Sequence, residues 1–89
     1  MKQEEIIREV KKILATSFRL AESEIQGDSS LTADLGLDSV DIMDSICLYE
    51  EKFGIKIVKE SMTAETFPKT VRDCAKLVMK RIEEKTQGL

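Results

Sequence analysis

Ser39 is the residue of this chain whose type and surroundings point most clearly to chemistry. It follows Asp38, and every charged residue between positions 20 and 51 is an acid. Neighbouring carboxylates oppose the ionisation of a hydroxyl, so Ser39 is a poor nucleophile. The chain has no histidine, which removes ordinary Ser-His-Asp catalysis and His-ligated metal sites. We therefore predict that the chain is not an enzyme and holds no metal, and that Ser39 is modified by another enzyme.

The position of Ser39 at a predicted helix start suits a phosphate ester. Asp38 can serve as the N-cap, and Asp41 lies three residues later in capping-box position. The hydroxyl of a residue in the first turn is exposed, and the free amide groups and dipole of that turn favour a bound phosphate. Asp and Ser are also common at helix starts for structural reasons alone, so this pair does not decide between the two interpretations.

Apolar periodicity predicts an all-α fold in a single domain over residues 1–89. We expect a small bundle of three main helices plus one short helix, with a long loop between helices one and two. Helix one is predicted over 2–18, helix two from 38 or 39 to 53, and the last helix over 69–84 after a proline. Gly54 is placed to end helix two. A brief helical turn is predicted around 63–67.

The loop over residues 19–37 is apolar enough to need anchoring. It holds four aliphatic side chains, Ile25, Leu31, Leu35 and Leu37. Such side chains are costly to leave in water, so we expect them to hold the loop against the bundle. A loop of this length in a small domain is more often functional than idle.

Helix two carries two apolar stripes. The stripe predicted to face the core consists of Ile42, Ile46, Tyr49 and Phe53. The second stripe consists of Val40, Met43 and Cys47. Acids flank this second stripe on both sides.

The two cysteines and the apolar content indicate the cellular setting. Cys47 and Cys74 match no metal-ligand spacing and lie in helical apolar patterns, so each is predicted to be a small buried side chain without a disulfide. The chain has no apolar run long enough to span a membrane and no signal-peptide stretch at its start. These features predict a cytoplasmic monomer, or a mature form whose targeting segment has been removed.

The acidic segment, residues 20–51, dominates the charge distribution. It contains no Lys or Arg and has nine acids: Glu22, Glu24, Asp28, Asp34, Asp38, Asp41, Asp44, Glu50 and Glu51. Such a segment repels the phosphates of nucleic acids and favours partner proteins with basic surfaces. A solvated acidic face without any partner is the alternative that composition leaves open.

The stretch 31–41 resembles the attachment motif of acyl carrier proteins. It reads Leu31-Thr32-Ala33-Asp34-Leu35-Gly36-Leu37-Asp38-Ser39-Val40-Asp41. The family pattern is Leu-x-x-Asp-Leu-Gly-x-Asp-Ser followed by an aliphatic residue. The resemblance continues through Glu50-Glu51-Lys52-Phe53-Gly54-Ile55 and through Thr70-Val71-Arg72-Asp73. It covers nearly the whole chain.

This resemblance implies a function, a cofactor and partners. A phosphopantetheinyl transferase would move a 4′-phosphopantetheine arm from coenzyme A, with Mg²⁺, onto Ser39. The thiol of the arm would carry acyl chains as thioesters, in fatty acid or related lipid biosynthesis. Acyl-transferring and chain-elongating enzymes would dock on this chain through basic patches of their own. The residues contacted would be Asp38, Val40, Asp41, Met43, Asp44, Cys47, Glu50 and Glu51. The acyl chain would fold back between the helices, against Ile42, Ile46 and Tyr49.

Some residues depart from the family pattern and keep alternatives open. Val40 stands where fatty-acid carriers usually have Leu, Ser45 stands at a position expected to be aliphatic and near the core, and Val58 begins a stretch that is less acidic than usual. These departures raise the alternative of a specialised carrier for a polyketide or aminoacyl pathway. An alternative of another class is a helical protein-interaction module that is never modified.

Overall fold

The computed structural model describes residues 2–57, 62–63 and 65–87. Its three main helices are α1, Gln3–Phe18, α2, Ser39–Phe53, and α3, Val71–Gln87. One turn of 3-10 helix lies at Glu22–Glu24 within the long connection between α1 and α2. This arrangement confirms the predicted all-α bundle and places α1 and α2 within one residue of their predicted bounds.

The three helices enclose one aliphatic core. Buried side chains come from α1 (Ile6, Val10, Leu14), α2 (Ile42, Ile46, Tyr49), α3 (Val71, Cys74, Ala75, Val78) and the connections (Ile25, Leu31, Leu37, Ile55, Ile57). On α1 and α3 these residues recur every three to four positions, which gives each helix one buried face. The backbones of α1 and α3 run close together over the longest stretch, whereas α2 approaches the other two helices at fewer positions.

Both ends of α2 are capped as the sequence predicts. Asp38 and Asp41 form a capping box at its start. Gly54 ends the helix in the left-handed conformation, with φ of 64°, which glycine adopts without strain. The Nζ of Lys85 donates a hydrogen bond to the carbonyl of Gly54 at 2.6 Å, which ties the end of α2 to the end of α3.

α3 begins two residues later than predicted. Thr70 and Asp73 form a second capping box: the Asp73 amide donates to Thr70 Oγ1 at 3.1 Å, and the Thr70 amide donates to Asp73 Oδ2 at 3.1 Å. The carbonyl of Lys69 accepts from the amide of Leu31, so Lys69 belongs to the connection before the helix. Thr70 is therefore the N-cap, which moves the start of α3 to Val71.

The connection between α2 and α3 is described in part. A helical turn is predicted around 63–67; there the amide of Phe67 donates to the carbonyl of Thr63 at 2.9 Å, but no helix is assigned among residues 62–63 and 65–70. Ala64 lies outside the described residues. Val58, Lys59 and Glu60 also lie outside them, so the structure does not describe the stretch that is predicted to be less acidic than usual. Within the described ranges, no helix is long and apolar enough to cross a membrane.

Candidate functional site

Ser39 is the first residue of α2, and its side chain is exposed. The Asp38 carboxylate accepts a hydrogen bond from the amide of Asp41 at 2.8 Å. The Asp41 carboxylate in turn accepts from the amide of Asp38 at 3.2 Å. An α-helix leaves its first amide groups without intrahelical acceptors, and this box occupies only that of Asp41 within the first turn. The amides of Ser39 and Val40 thus have no acceptor within the helix, and they lie in the same turn as the Ser39 hydroxyl.

The loop before Ser39 is held by backbone hydrogen bonds to the start of α3. The amide of Leu31 donates to the carbonyl of Lys69 at 2.9 Å, and the amide of Arg72 donates to the carbonyl of Gly27 at 2.8 Å. A third bond runs from the amide of Val71 to the carbonyl of Ser29 at 3.2 Å. These bonds fix the loop from outside its own sequence, and no local pattern of residues 19–37 predicts them.

The last residues before Asp38 form a closed turn. The amide of Leu37 donates to the carbonyl of Leu31 at 2.9 Å, which brings the two ends of the turn together. Gly36 lies between them with φ of 72°, a conformation that glycine adopts without strain. Leu31 and Leu37 are buried and Leu35 is half-buried, as expected for anchors. The sequence Leu35-Gly36-Leu37 therefore has a structural role, because it anchors the turn that precedes Ser39.

These observations fit a phosphate ester on Ser39. The hydroxyl is exposed, two helix-start amides lie beside it, and the dipole of α2 favours negative charge there. One oxygen of the Asp38 carboxylate and one of the Asp41 carboxylate accept hydrogen bonds from backbone amides. These bonds lessen the repulsion between the two carboxylates and a phosphate. Among the residues that the structure describes, no cluster of His, Cys, Asp and Glu side chains could hold a metal ion.

The second apolar stripe of α2 forms an outward face. Val40 is 66% exposed, Met43 is half-buried and Cys47 is exposed. The prediction that Cys47 is a buried side chain is wrong, because it shares this outward face with Val40 and Met43. Cys74 is buried as predicted, and burial raises the pKa of its thiol to about 12.

The predicted acidic contacts of α2 differ in their surroundings. Asp38, Asp44 and Glu51 are exposed. Glu50 is half-buried, and its carboxylate accepts a hydrogen bond from the amide of Ile57 at 2.8 Å. Glu50 therefore holds the link after α2 in place, a structural task that the sequence analysis missed.

The inner face of α2 is less apolar than its stripe suggests. Ile42, Ile46 and Tyr49 are buried, and so is Ser45, whose hydroxyl donates to the carbonyl of Ile42 at 2.6 Å. The Tyr49 hydroxyl is buried and has no hydrogen-bond partner among the described residues. Burial also raises the pKa of Tyr49, with the nearby Cys74 adding to the shift.

Two comparisons with known proteins indicate the family of this chain. A family model described as a phosphopantetheine attachment site matches residues 8–78, from the middle of α1 into α3. An acyl carrier protein of Buchnera aphidicola subsp. Baizongia pistaciae is 37% identical over 71 residues. The match covers 80% of this chain and 91% of that protein.

Proposed function

Because this chain belongs to the acyl carrier protein family, we propose that it carries acyl intermediates on a 4′-phosphopantetheine arm attached to Ser39, in fatty acid or related lipid biosynthesis. Family membership makes the chain a carrier rather than a catalyst, with phosphopantetheine as its covalent cofactor. When bound, the arm supplies the thiol that holds the acyl group. The choice of Ser39 and of the lipid pathway is the proposal.

One observation carries the choice of Ser39: its exposed hydroxyl stands at the start of α2, on a turn that is fixed from both sides. The loop before it is bonded to the start of α3, and the capping box closes the turn after it. The chain lacks histidine, and the Asp38 and Asp41 carboxylates each accept a hydrogen bond from a backbone amide. The proposal therefore assigns removal of the serine proton to a base of the transferase.

The attachment can be tested by the mass of the intact protein. Incubation with coenzyme A, Mg²⁺ and a transferase of broad specificity should add one phosphopantetheine. Ser39→Ala should abolish the gain. Ser23→Ala is a matched control, because Ser23 is also an exposed serine that directly follows an acid, and it should leave the gain intact. The choice of Ser39 fails if no mass is gained or if the gain survives Ser39→Ala.

The outward face of α2 supports the proposal of a docking surface. Apolar Val40, Met43 and Cys47 lie among exposed Asp44 and Glu51. Exposed ion pairs contribute only about 0.2–1 kcal/mol each, so acids of this kind speed encounters with basic patches without trapping the partner. Weak contacts suit a monomeric carrier that must visit and leave several enzymes. The predicted cytoplasmic location remains a prediction.

The docking proposal is tested by charge reversal. Asp44→Lys should lower kcat/KM for arm attachment, with the loss shrinking as salt is added, because salt screens the attraction. Glu83→Lys makes the same charge change at an exposed position of α3 and should have little effect. Equal losses for the two variants would indicate that net charge, rather than this face, governs the encounter.

A specialised polyketide or aminoacyl carrier is the second candidate. Buried Ser45 and Tyr49 favour it, since they place hydroxyls in the space proposed for the acyl chain. Mass spectrometry of the species loaded in the native host separates the pathways, and ordinary fatty-acyl groups alone would reject the specialised one. The alternative of an unmodified interaction module requires Ser39 to stay unmodified beside a competent transferase.

A further inference from the structure

The Asp73 carboxylate binds two backbone amides at the start of α3. Its Oδ2 accepts hydrogen bonds from the amide of Lys69 at 3.0 Å and from the amide of Thr70 at 3.1 Å. The capping box needs only the second of these bonds, because Thr70 is the N-cap. The first bond reaches a residue that precedes the helix. Asp73 therefore fixes the end of the connection as well as the first turn of α3.

Lys69 connects Asp73 to the loop before Ser39. The amide of Lys69 is bonded to Asp73, and its carbonyl accepts from the amide of Leu31 at 2.9 Å. The carbonyl of Leu31 in turn accepts from the amide of Leu37 at 2.9 Å. Three hydrogen bonds in series thus join the Asp73 carboxylate to the turn that presents the serine, although the two residues lie far apart along the chain.

The surroundings of these bonds favour a firm connection. Leu31 and Leu37 are buried, and Asp73 is half-buried. Hydrogen bonds to a charged acceptor are about twice as strong as those between neutral groups. The amides of Val71 and Arg72, in the turn that Asp73 caps, also donate to carbonyls of the loop. Loss of the Asp73 carboxylate would therefore loosen the loop where it meets α3.

We propose that Asp73 is a positioning residue for arm attachment, because its carboxylate holds the turn that presents the Ser39 hydroxyl to the transferase. This inference rests on the proposed attachment of the arm to Ser39. Group transfer requires the reacting atoms to be close to their reactive arrangement, and a misplacement of about 1 Å, caused far from the chemistry, can cost about 10²-fold in rate. Asp73 itself need not touch the transferase or coenzyme A.

The kinetics of arm attachment test this role, with apo protein, coenzyme A, Mg²⁺ and the transferase of broad specificity. Asp73→Ala should lower kcat about tenfold and leave the KM for the carrier within about twofold of wild type. The docking surface on α2 is unchanged in this variant, while the hydroxyl is less often in its reactive position. Asp73→Asn removes the same charge but keeps an acceptor oxygen, so it should recover most of the lost kcat.

Val10→Ala separates positioning from a general loss of stability. Val10 is buried on α1, a helix that contributes no residue to the bonds between Asp73 and the loop. Its truncation leaves a cavity and lowers stability. At a temperature where circular dichroism shows every variant folded, Val10→Ala should keep the kcat of wild type. Equal losses of kcat for Val10→Ala and Asp73→Ala would overturn the proposal, as would a loss confined to KM.

Hydrogen exchange of the apo protein tests the connection without any arm. In Asp73→Ala the amides of Leu31 and Leu37 should exchange about tenfold faster than in wild type, because the bonds that protect them open more often. The amide of Ile42, bonded within α2, should change little. Unchanged exchange at Leu31 and Leu37 would overturn the proposal. Arm attachment that survives Ser39→Ala counts against the choice of Ser39 instead, and the exchange result still reports whether Asp73 holds the turn.

Discussion

Asp38 and Asp41 hold each other's backbone across the first turn of α2. Each carboxylate accepts a hydrogen bond from the other residue's amide, at 2.8 Å and 3.2 Å. Ser39 lies between them and is thereby presented on a rigid turn. The two acids nearest the serine thus have a structural task in addition to any contact with a partner.

Asp38→Ala should destabilise the protein by about 1 kcal/mol, the usual cost of losing an N-cap. Asp38→Asn keeps an acceptor oxygen, so it should lower the free energy of unfolding by only about a few tenths of a kcal/mol. The measurement is urea unfolding, with Asp44→Ala as a control that removes an exposed carboxylate of the same helix for which no cap bond is found. An Asp38→Ala protein as stable as the control would show that the box contributes nothing.

Glu50→Ala should lower the free energy of unfolding by about 2 kcal/mol, because the buried link at Ile57 loses a charged hydrogen-bond acceptor. Glu50→Gln keeps an oxygen at this position and should lose less. Neighbouring Glu51 is exposed, so Glu51→Ala should change stability by less than about 0.5 kcal/mol. If Glu51→Ala costs as much as Glu50→Ala, then general charge effects rather than this bond explain both losses.

Leu31→Ala should cost about 2–5 kcal/mol, because Leu31 is 0% exposed and its removal leaves a cavity under the loop. Asp28→Asn, in the same loop, removes the charge that pairs with Arg72 at the surface. Exposed pairs of this kind contribute about 0–1 kcal/mol, so this variant should remain near wild type. Thermal midpoints give the comparison, and a larger loss for Asp28→Asn would assign the anchoring of the loop to the ion pair.

A thiol-alkylating reagent at pH 8 should label Cys47 rapidly and spare Cys74. Cys47 is exposed, whereas Cys74 is buried with a pKa raised to about 12, so almost none of it is thiolate. The experiment uses Ser39→Ala, which excludes any thiol of an attached arm. Mass spectrometry should show one label in the folded protein and two in urea. Two labels at equal rates in the folded state would contradict the buried position of Cys74.

Stability should fall as pH rises from about 9 to 12. Burial raises the pKa of Cys74 from 9.0 to about 12 in the folded state, so the folded protein retains a proton that the unfolded chain releases. The contribution is complete below pH 9 and is lost as pH climbs through this window. The raised pKa of Tyr49 acts in the same direction from about pH 10. Tyr49→Phe should therefore flatten the decline in unfolding free energy, and an unchanged slope would argue against a buried tyrosine.

The features set by nearby residues could be predicted from the sequence. The apolar periods of α1 and α2, the Asp38 cap and the glycine end of α2 each involve residues within a few positions of one another. The second capping box was equally local: Thr70 and Asp73 have the required spacing. Reading it as a cap would have placed the start of α3 at Val71.

Features that join distant segments could not be predicted in this way. The bonds from Leu31 to Lys69 and from Arg72 to Gly27 leave no periodic trace in the chain. The exposure of Cys47 depends on which face of α2 the other helices cover, because both of its stripes are apolar. The complete burial of Tyr49 likewise depends on how α2 packs against the other helices in three dimensions.

The hydrogen bonds between residues 27–31 and residues 69–72 can form only after both segments have been synthesised. While the ribosome still holds residues 69–72, α1 and α2 can form, but the turn that bears Ser39 lacks its support. Closing a loop between segments so distant along the chain is also slower than forming a helix. Under the proposed attachment of the arm to Ser39, a nascent chain stalled before residue 69 would therefore meet the transferase without the bonds that support this turn.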